Sequence, residues 1–412
     1  MYDPRIVAEP TIFIQGWLWV PLVIAIVAGF VLGRRRPDYA LAGVIAAAPL
    51  YQLRGNLGVP TTLLELLLGA VLFGIATRWR EYRPLKIPYA PWLALWVGGG
   101  LLAALVGPDL REGLGLWRAF FAEPALLLVA LATVFRKRDP RALVWGAAGA
   151  ITIVALWAGY LLADGRALTY DDRLQGPFQS ANYLALLLVP LTLLLAYWPR
   201  RELLFVRVAG VTAGIGMLVA SNSRGGQLAL LAGVLVGAGL LRGRTRLLMG
   251  GLVAATLVVG SLAAGPNLFR HAEDQVVSAR PVLWREAAGI IKGNPLFGSG
   301  PGQFQEVFTE RVRGNPDHLL YVVPQALNPH NVFLVTWTEW GLLTLLGFLG
   351  LLAVFARTIW TKAGPWRILA LSIMTAIVIH GLVDTSVLKN DLAVVFALAL
   401  ALPLLPAKAG KP

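Results

Sequence analysis

The run IFIQGWLWVPLVIAIVAGFVLG at residues 12–33, followed at once by RRRPD at 34–38, decides the class of fold. A helix needs about 20 apolar residues to cross a bilayer; this run supplies them and then stops at consecutive arginines. No small-residue cleavage site follows residues 12–32, so a retained span is expected rather than a cleaved signal peptide. Similar apolar runs recur along the 412 residues, at 38–53, 60–77, 89–106, 115–135, 142–163, 181–198, 203–220, 226–241, 246–264, 331–356, 366–383 and 391–406. The sequence is 57% hydrophobic and 14% charged, too little polar surface for a soluble protein of this length. The expectation is an all-α, polytopic integral membrane protein with about 12–13 transmembrane helices, the short run 38–53 being the one that could be re-entrant. A single integral membrane domain over residues 1–412 is expected, with residues 265–330 as a larger extracytoplasmic loop carrying short helices. That loop holds the helix-like RPVLWREAAGIIKG (280–293) and the turn-rich GNPLFGSGPGQF (293–304).

Charge fixes the expected sidedness. Every second connection is basic: GRRRPD (33–38), RWREYRPLK (78–86), RKRDPR (136–141), PRRELLFVR (199–207), LRGRTR (241–246), RTIWTKAGPWR (357–367) and the tail KAGKP (408–412). These segments hold 22 of the 36 lysines and arginines but only 4 of the 22 acids. Basic loops face the cytoplasm, so the N-terminus is expected outside and the C-terminus inside. The overall charge of +14 therefore reads as membrane sidedness, and no nucleic-acid partner is expected. There is no cysteine, which excludes disulfides, thiolate catalysis and cysteine-bound zinc.

The unusual polar residues then collect at the other surface. They lie in YDDRLQGPFQSANYLAL (170–186), SNSRGGQ (221–227), residues 269–304, NPHN (328–331) and IHGLVDTSVLKND (379–391). An arginine at the lip of a span is costly unless it is paired or used, and its guanidinium fork matches phosphate oxygens. Arginines beside apolar helices suit a lipid-linked diphosphate, whose chain needs hydrocarbon and whose head needs cations.

Four of these segments resemble the O-antigen ligase and polymerase superfamily of bacterial membrane glycosyltransferases. RLQGPFQSANYLALLL (173–188) is similar to that family's Gly–Phe–Asn-Tyr–Ala segment, and SNSRGG (221–226) to its Ser-Arg-Gly hairpin. RPVLWREAAGIIKGNPLFGSGPGQF (280–304) is similar to its loop motif, and HNVFLVTWTEWGLLT (330–344) to its His-Asn, nine residues, Gly pattern. At Thr344, the last position of that pattern, relatives often carry Gly. The resemblance covers roughly residues 170–345, and order and spacing together carry it.

The resemblance implies inverting transfer of a glycan from undecaprenyl diphosphate to an acceptor hydroxyl, on lipid A–core or similar, at the extracytoplasmic side of the bacterial inner membrane. It implies a histidine as general base and cations for the charge that grows on the leaving diphosphate. His330 matches the catalytic histidine, and Arg224 and Arg280 match the diphosphate arginines; Arg285 is a further candidate. Asn331 either orients His330 or caps the helix it begins, Asn182 has the same two options, and Ser223 is a supporting residue of the hairpin. No cofactor and no metal are expected, because arginines rather than a carboxylate cluster mark the site; Asp171, Asp172 and Arg173 read as a solvated loop. GSGPG (298–302) reads as a turn, since no strand precedes it as a phosphate loop requires. His271 and His318 are expected in exposed loop, His380 and Asp384 as a structural pair with support of the site as the alternative, and Glu339 as paired inside the bundle. A polymerase or a protein O-oligosaccharyltransferase shares the donor chemistry. A lipid-linked glycan transporter would instead place polar groups at mid-membrane in repeated halves, and Ser221 or Ser223 lacks the partners of a serine hydrolase.

Overall fold

The computed structural model describes residues 12–13, 19–56, 60–82, 87–169, 171–240, 280–313, 328–361 and 364–406. The apolar runs form helices, as hydrocarbon demands of a chain that must satisfy its own backbone. They are α1 (Trp19–Arg35), α2 (Pro37–Ala46), α3 (Leu63–Ala76), α4 (Ala90–Val106), α5 (Leu110–Trp117), α6 (Glu123–Val134), α7 (Ala142–Ala163), α8 (Ala181–Ala196), α9 (Leu204–Ser221) and α10 (Arg224–Leu240). There follow α11 (Arg280–Gly293), α12 (Phe304–Val312), α13 (Val332–Thr361), α14 (Arg367–Gly381) and α15 (Asn390–Ala401). The expected span 246–264 lies outside the described residues, as do the basic loop 241–246 and residues 265–279 and 314–327 of the 265–330 segment, with His271 and His318.

The architecture is that of an all-α polytopic membrane protein. Among the described residues five segments are long and apolar enough to cross a bilayer: Leu110–Val134, Ala142–Ala163, Leu204–Ser221, Val332–Thr361 and Gly364–Gly381. Five shorter apolar helices accompany them. The first long segment runs from α5 into α6 through a single π turn, Arg118–Ala122. The expected short span 38–53 is α2 followed by a 3-10 turn, Ala48–Gln52. A departure from the all-helical expectation follows it: β2 (Leu53–Asn56) pairs antiparallel with β3 (Pro60–Thr62) and parallel with β1 (Ile12–Phe13). Hydrogen bonding between these short segments satisfies their own backbone groups where the chain is not helical.

Among the described residues three of the basic connections share a structural task. Helices α1, α8 and α13 end there with open carbonyls, and arginines donate to them. Arg78 donates to Arg34 O at 3.0 Å, Arg207 to Leu195 O at 2.8 Å and Ala196 O at 3.2 Å, and Arg367 to Ile359 O at 3.2 Å and Trp360 O at 3.0 Å. In the interior, glycines let helices approach closely, as they do in lipid. Gly347 of α13 meets the backbone of Trp96 in α4, and Gly233 of α10 meets Ser372 O in α14. Helix α15 is the centre of the bundle, buried from Asp391 through Ala401.

Two features aim the polar end. Glu65, in the first turn of α3, closes a capping box with Thr62. Its carboxylate also accepts from Arg118 at 2.7 Å, Asn390 at 2.9 Å and Thr61 Oγ1 at 3.0 Å. One buried acid thus ties β3, α3, the π turn and the start of α15. The second feature is a break in α13 at Gly341, where φ is 77° and ψ 176°, a conformation open only to glycine. The turn-rich loop enters the break. Leu342 N–H donates to Pro295 O and Leu296 O at 3.1 Å, Ser299 N–H to Thr338 O at 2.6 Å, and Trp337 Nε1 to Pro295 O at 3.0 Å. The GSGPG sequence is accordingly a turn; Gly298, Gly300 and Gly302 all have positive φ. Glu339 is buried, and its partner is this loop: it accepts from Gly302 N–H at 3.4 Å.

Candidate active site

His330 stands at the lip of α13 because the four residues NPHN make a tight helix start. Asn331 Oδ1 accepts from Phe333 N–H at 3.0 Å and Leu334 N–H at 3.1 Å, which is the N-cap geometry. Of the two roles open to Asn331, capping is the one its bonds show; its Nδ2 donates to Leu382 O at 3.1 Å. Before it, His330 N–H donates to Asn328 Oδ1 at 2.8 Å. The backbone of His330 has φ 48°, a left-handed conformation that costs a side-chain-bearing residue about 1–2 kcal/mol. Such strain persists only where neighbours enforce it.

The ring of His330 is held by Asp384, which local spacing alone would pair with His380. Nδ1 lies 3.3 Å from Asp384 Oδ1, with the His330 side chain 30% exposed and that of Asp384 4%. Burial pushes the Asp384 carboxyl up, but the hydrogen bond from His330, the charges of His330 and His380 and the N–H of Thr385 outweigh it and hold it below the usual carboxylate range. Thr385 N–H donates to Asp384 Oδ1 at 2.8 Å, and Thr385 Oγ1 to Asn328 Oδ1 at 3.0 Å. His380, one turn earlier, is buried behind Asp384.

The hairpin SNSRGG arrives from the other side. Ser223 Oγ accepts from Gly226 N–H at 3.2 Å and caps α10, placing Arg224 at the exposed first turn. Gly225 is closely packed: a Cβ there would stand 3.0 Å from His380 Nε2 and 3.2 Å from Val383 Cγ2. The start of α10 therefore packs on the residues that carry Asp384. Ser223 Oγ donates to Asn182 Oδ1 at 2.8 Å, and Arg173 to the same oxygen at 3.1 Å. Arg173 also donates to Ser221 O at 3.1 Å and pairs with Asp171 at 3.6 Å. Asn182 is thus a junction between two loops. It does not cap α8; Ser180 does, accepting from Tyr183 N–H at 3.2 Å. Residues 171 and 173 form an internal bracket rather than a freely solvated loop.

Arg280 begins α11, within electrostatic reach of His380. One turn later Trp284 Nε1 donates to Pro329 O at 2.9 Å, docking α11 on the residue before His330. Arg285 is exposed and points about 140° round the helix from Arg280, so the two do not share a face. Five chain segments, carrying Asn182, Arg224, Arg280, His330 and Asp384, meet at one end of the bundle, and Arg285 lies at the margin.

A further cation, which none of the sequence motifs marks, lies nearby. Lys389 Nζ sits 3.8 Å from the Tyr183 ring centroid and 5.1 Å from that of Tyr51. Burial pushes its ammonium down to about 8, with Asp391 acting in the opposite sense. Its position just ahead of α15, in a segment already noted for Asp384, was the available signal. Among the described residues no group of three or more His, Cys, Asp or Glu side chains is arranged to hold a metal ion.

No curated protein matches the chain. Residues 209–349, from α9 to α13, match the family model described as O-Antigen ligase. That stretch includes Ser223, Arg224, Arg280, Arg285, His330, Asn331 and Gly341, and stops short of Asp384. Over residues 209–349, about a third of the chain, the sequence is similar to the O-antigen ligase family that its motifs resemble, and the match supports a membrane glycosyltransferase of the ligase or polymerase type.

Proposed function

We propose that the protein is an O-antigen ligase-type, metal-independent, inverting glycosyltransferase of the bacterial inner membrane. It works at the extracytoplasmic end of the bundle, with its N-terminus outside and its C-terminus in the cytoplasm. The donor is a glycan on undecaprenyl diphosphate, and the acceptor is a hydroxyl of lipid A–core or a similar glycan. The observation that carries the reading is the His330–Asp384 pair at 3.3 Å, at the end of the bundle where the helices starting with Arg224 and Arg280 converge.

In this reading Asp384 accepts a hydrogen bond from His330 Nδ1–H, which leaves the Nε2 lone pair to take the proton of the acceptor hydroxyl. The freed oxygen attacks the anomeric carbon on the face opposite the diphosphate. A new carbon–oxygen bond forms as the bond to the diphosphate breaks, and the electron pair departs on the phosphate oxygen. Arg224 and Arg280 hold that developing charge, and removing one such donor lowers rate by about 10²–10³. Asn182 and Ser223 keep the start of α10 in register, and Asn331 keeps His330 at the start of α13. Arg285, exposed on another face, is assigned at most an outer, electrostatic part in drawing the donor in.

The test is transfer by the protein in lipid nanodiscs, with undecaprenyl-diphosphate glycan and three acceptors: lipid A–core, a second lipid-linked glycan and a pilin-like peptide. Transfer to lipid A–core with inverted anomeric configuration is expected. Product on the second lipid-linked glycan instead makes it a polymerase. His330→Ala is expected to abolish transfer with folding intact, and wild-type transfer by that variant removes the general base.

A further inference from the structure

The roles assigned so far are for the diphosphate and the proton, and none of them is for a sugar ring. Trp284 is 37% exposed, on α11 and outside the apolar spans. An exposed tryptophan on a membrane protein is ordinarily an interfacial anchor, with its ring in the headgroups and its N–H turned to them. Trp284 is different, because its N–H is already spent on Pro329 O at 2.9 Å. That bond fixes the indole edge against the residue preceding His330 and leaves ring surface uncovered. The helix beneath is firmly seated: Leu283, Ala287 and Ile290 pack with Phe304 and Phe308 of α12 in a small core of their own. Arg311 of α12 also pairs with Glu286 at 3.0 Å.

Spacing selects the occupant. Trp284 lies one turn beyond Arg280, about 6 Å along the helix. A group held by Arg280 through its phosphates places its first sugar at about that distance. Sugar rings present a face of C–H bonds, which packs on an aromatic face while the hydroxyls stay wet, and a rigid ring loses little entropy in the contact.

We propose that Trp284 is a stacking platform for the sugar ring attached directly to the donor diphosphate. This rests on the donor chemistry proposed above. It makes Trp284 a substrate-binding residue that selects for a glycosylated lipid over the bare lipid diphosphate.

The experiment measures binding to the full-length protein in nanodiscs with two probes: undecaprenyl diphosphate bearing one N-acetylglucosamine, and undecaprenyl diphosphate without sugar. Wild type is expected to prefer the first. Trp284→Ala should weaken the sugar-bearing probe about five- to tenfold and the bare probe less than twofold, while Trp284→Phe, which keeps a ring without the N–H, stays close to wild type. Equal loss on both probes, or a Phe variant as poor as Ala, assigns Trp284 to propping the Pro329 turn or to lipid anchoring and overturns the platform. Equal wild-type affinity for both probes also overturns it, while leaving the diphosphate site standing. Binding of neither probe removes the donor reading itself, and the platform with it.

Discussion

His330 Nδ1 and Asp384 Oδ1 lie 3.3 Å apart, although 54 residues separate them in the chain. The carboxylate is nearly inaccessible and the imidazole is partly open, the arrangement in which a buried acid fixes ring orientation and tautomer for a base that must meet substrate. Asp384→Asn is therefore expected to lower transfer by about 10²–10⁴, within the range of general-base catalysis. Donor affinity should change little, and kcat should carry the loss. A variant with wild-type kcat would remove Asp384 from the mechanism.

The same pair makes a pH prediction. The folded carboxyl of Asp384 titrates below its ordinary value, so the unfolded chain binds the proton more readily. Its contribution to stability is fully present above the unfolded carboxylate value, about 4, and is lost as pH falls through the lower folded one. Thermal unfolding in detergent between about pH 6 and pH 3 should show wild type losing part of its margin over Asp384→Asn only in the acid limb.

The left-handed backbone of His330 separates fold from function. Glycine adopts φ 48° without penalty and alanine does not. His330→Gly should be as inactive as His330→Ala yet more stable by about 1 kcal/mol, read as a higher Tm. Equal stabilities would mean that the NPHN turn relaxes when the imidazole is lost.

Gly341→Ala should be severe. The new Cβ would stand 2.0 Å from Leu296 O, in a backbone conformation that only glycine tolerates. The loop 294–302 would leave the break in α13, exposing Leu342 N–H and the carbonyl of Thr338. A loss of about 3 kcal/mol or more is expected. Faster hydrogen exchange at residues 294–302 and 338–342 would locate the damage.

Glu65 should act at a distance. Glu65→Ala leaves Arg118 and Asn390 without their shared acceptor. Arg118 is about one-third exposed, so the cost is set at about 2–3 kcal/mol, below that of a fully buried pair. If Asn390 helps hold the 384–389 segment, transfer should fall more than stability alone accounts for, with kcat lowered and KM nearly unchanged. Addition of EDTA to wild type is expected to leave transfer intact, and recovery on adding Mg²⁺ would overturn the metal-free reading.

The sequence by itself determined the membrane class, the alternation of basic and polar connections, and the segments whose polar residues the fold brings together. These follow from local properties: run length, charge per loop and cap chemistry, all carried by neighbouring residues. It also determined that GSGPG turns and that Asn331 begins a helix. Only the tertiary structure decided which acid lies against His330. His380 and Asp384 are one turn apart, so local spacing favours pairing them, whereas the fold buries His380 against Gly225 and turns Asp384 to the lip. Only the fold, likewise, gave Asn182 to Ser223 and Arg173, lodged the 294–302 loop in the break of α13, and spent the Trp284 N–H on Pro329. Hydrophobic periodicity reports which residues leave water, but not which helix faces which. A contact across 54 residues depends on helix packing, set here by glycines whose partners lie in distant helices.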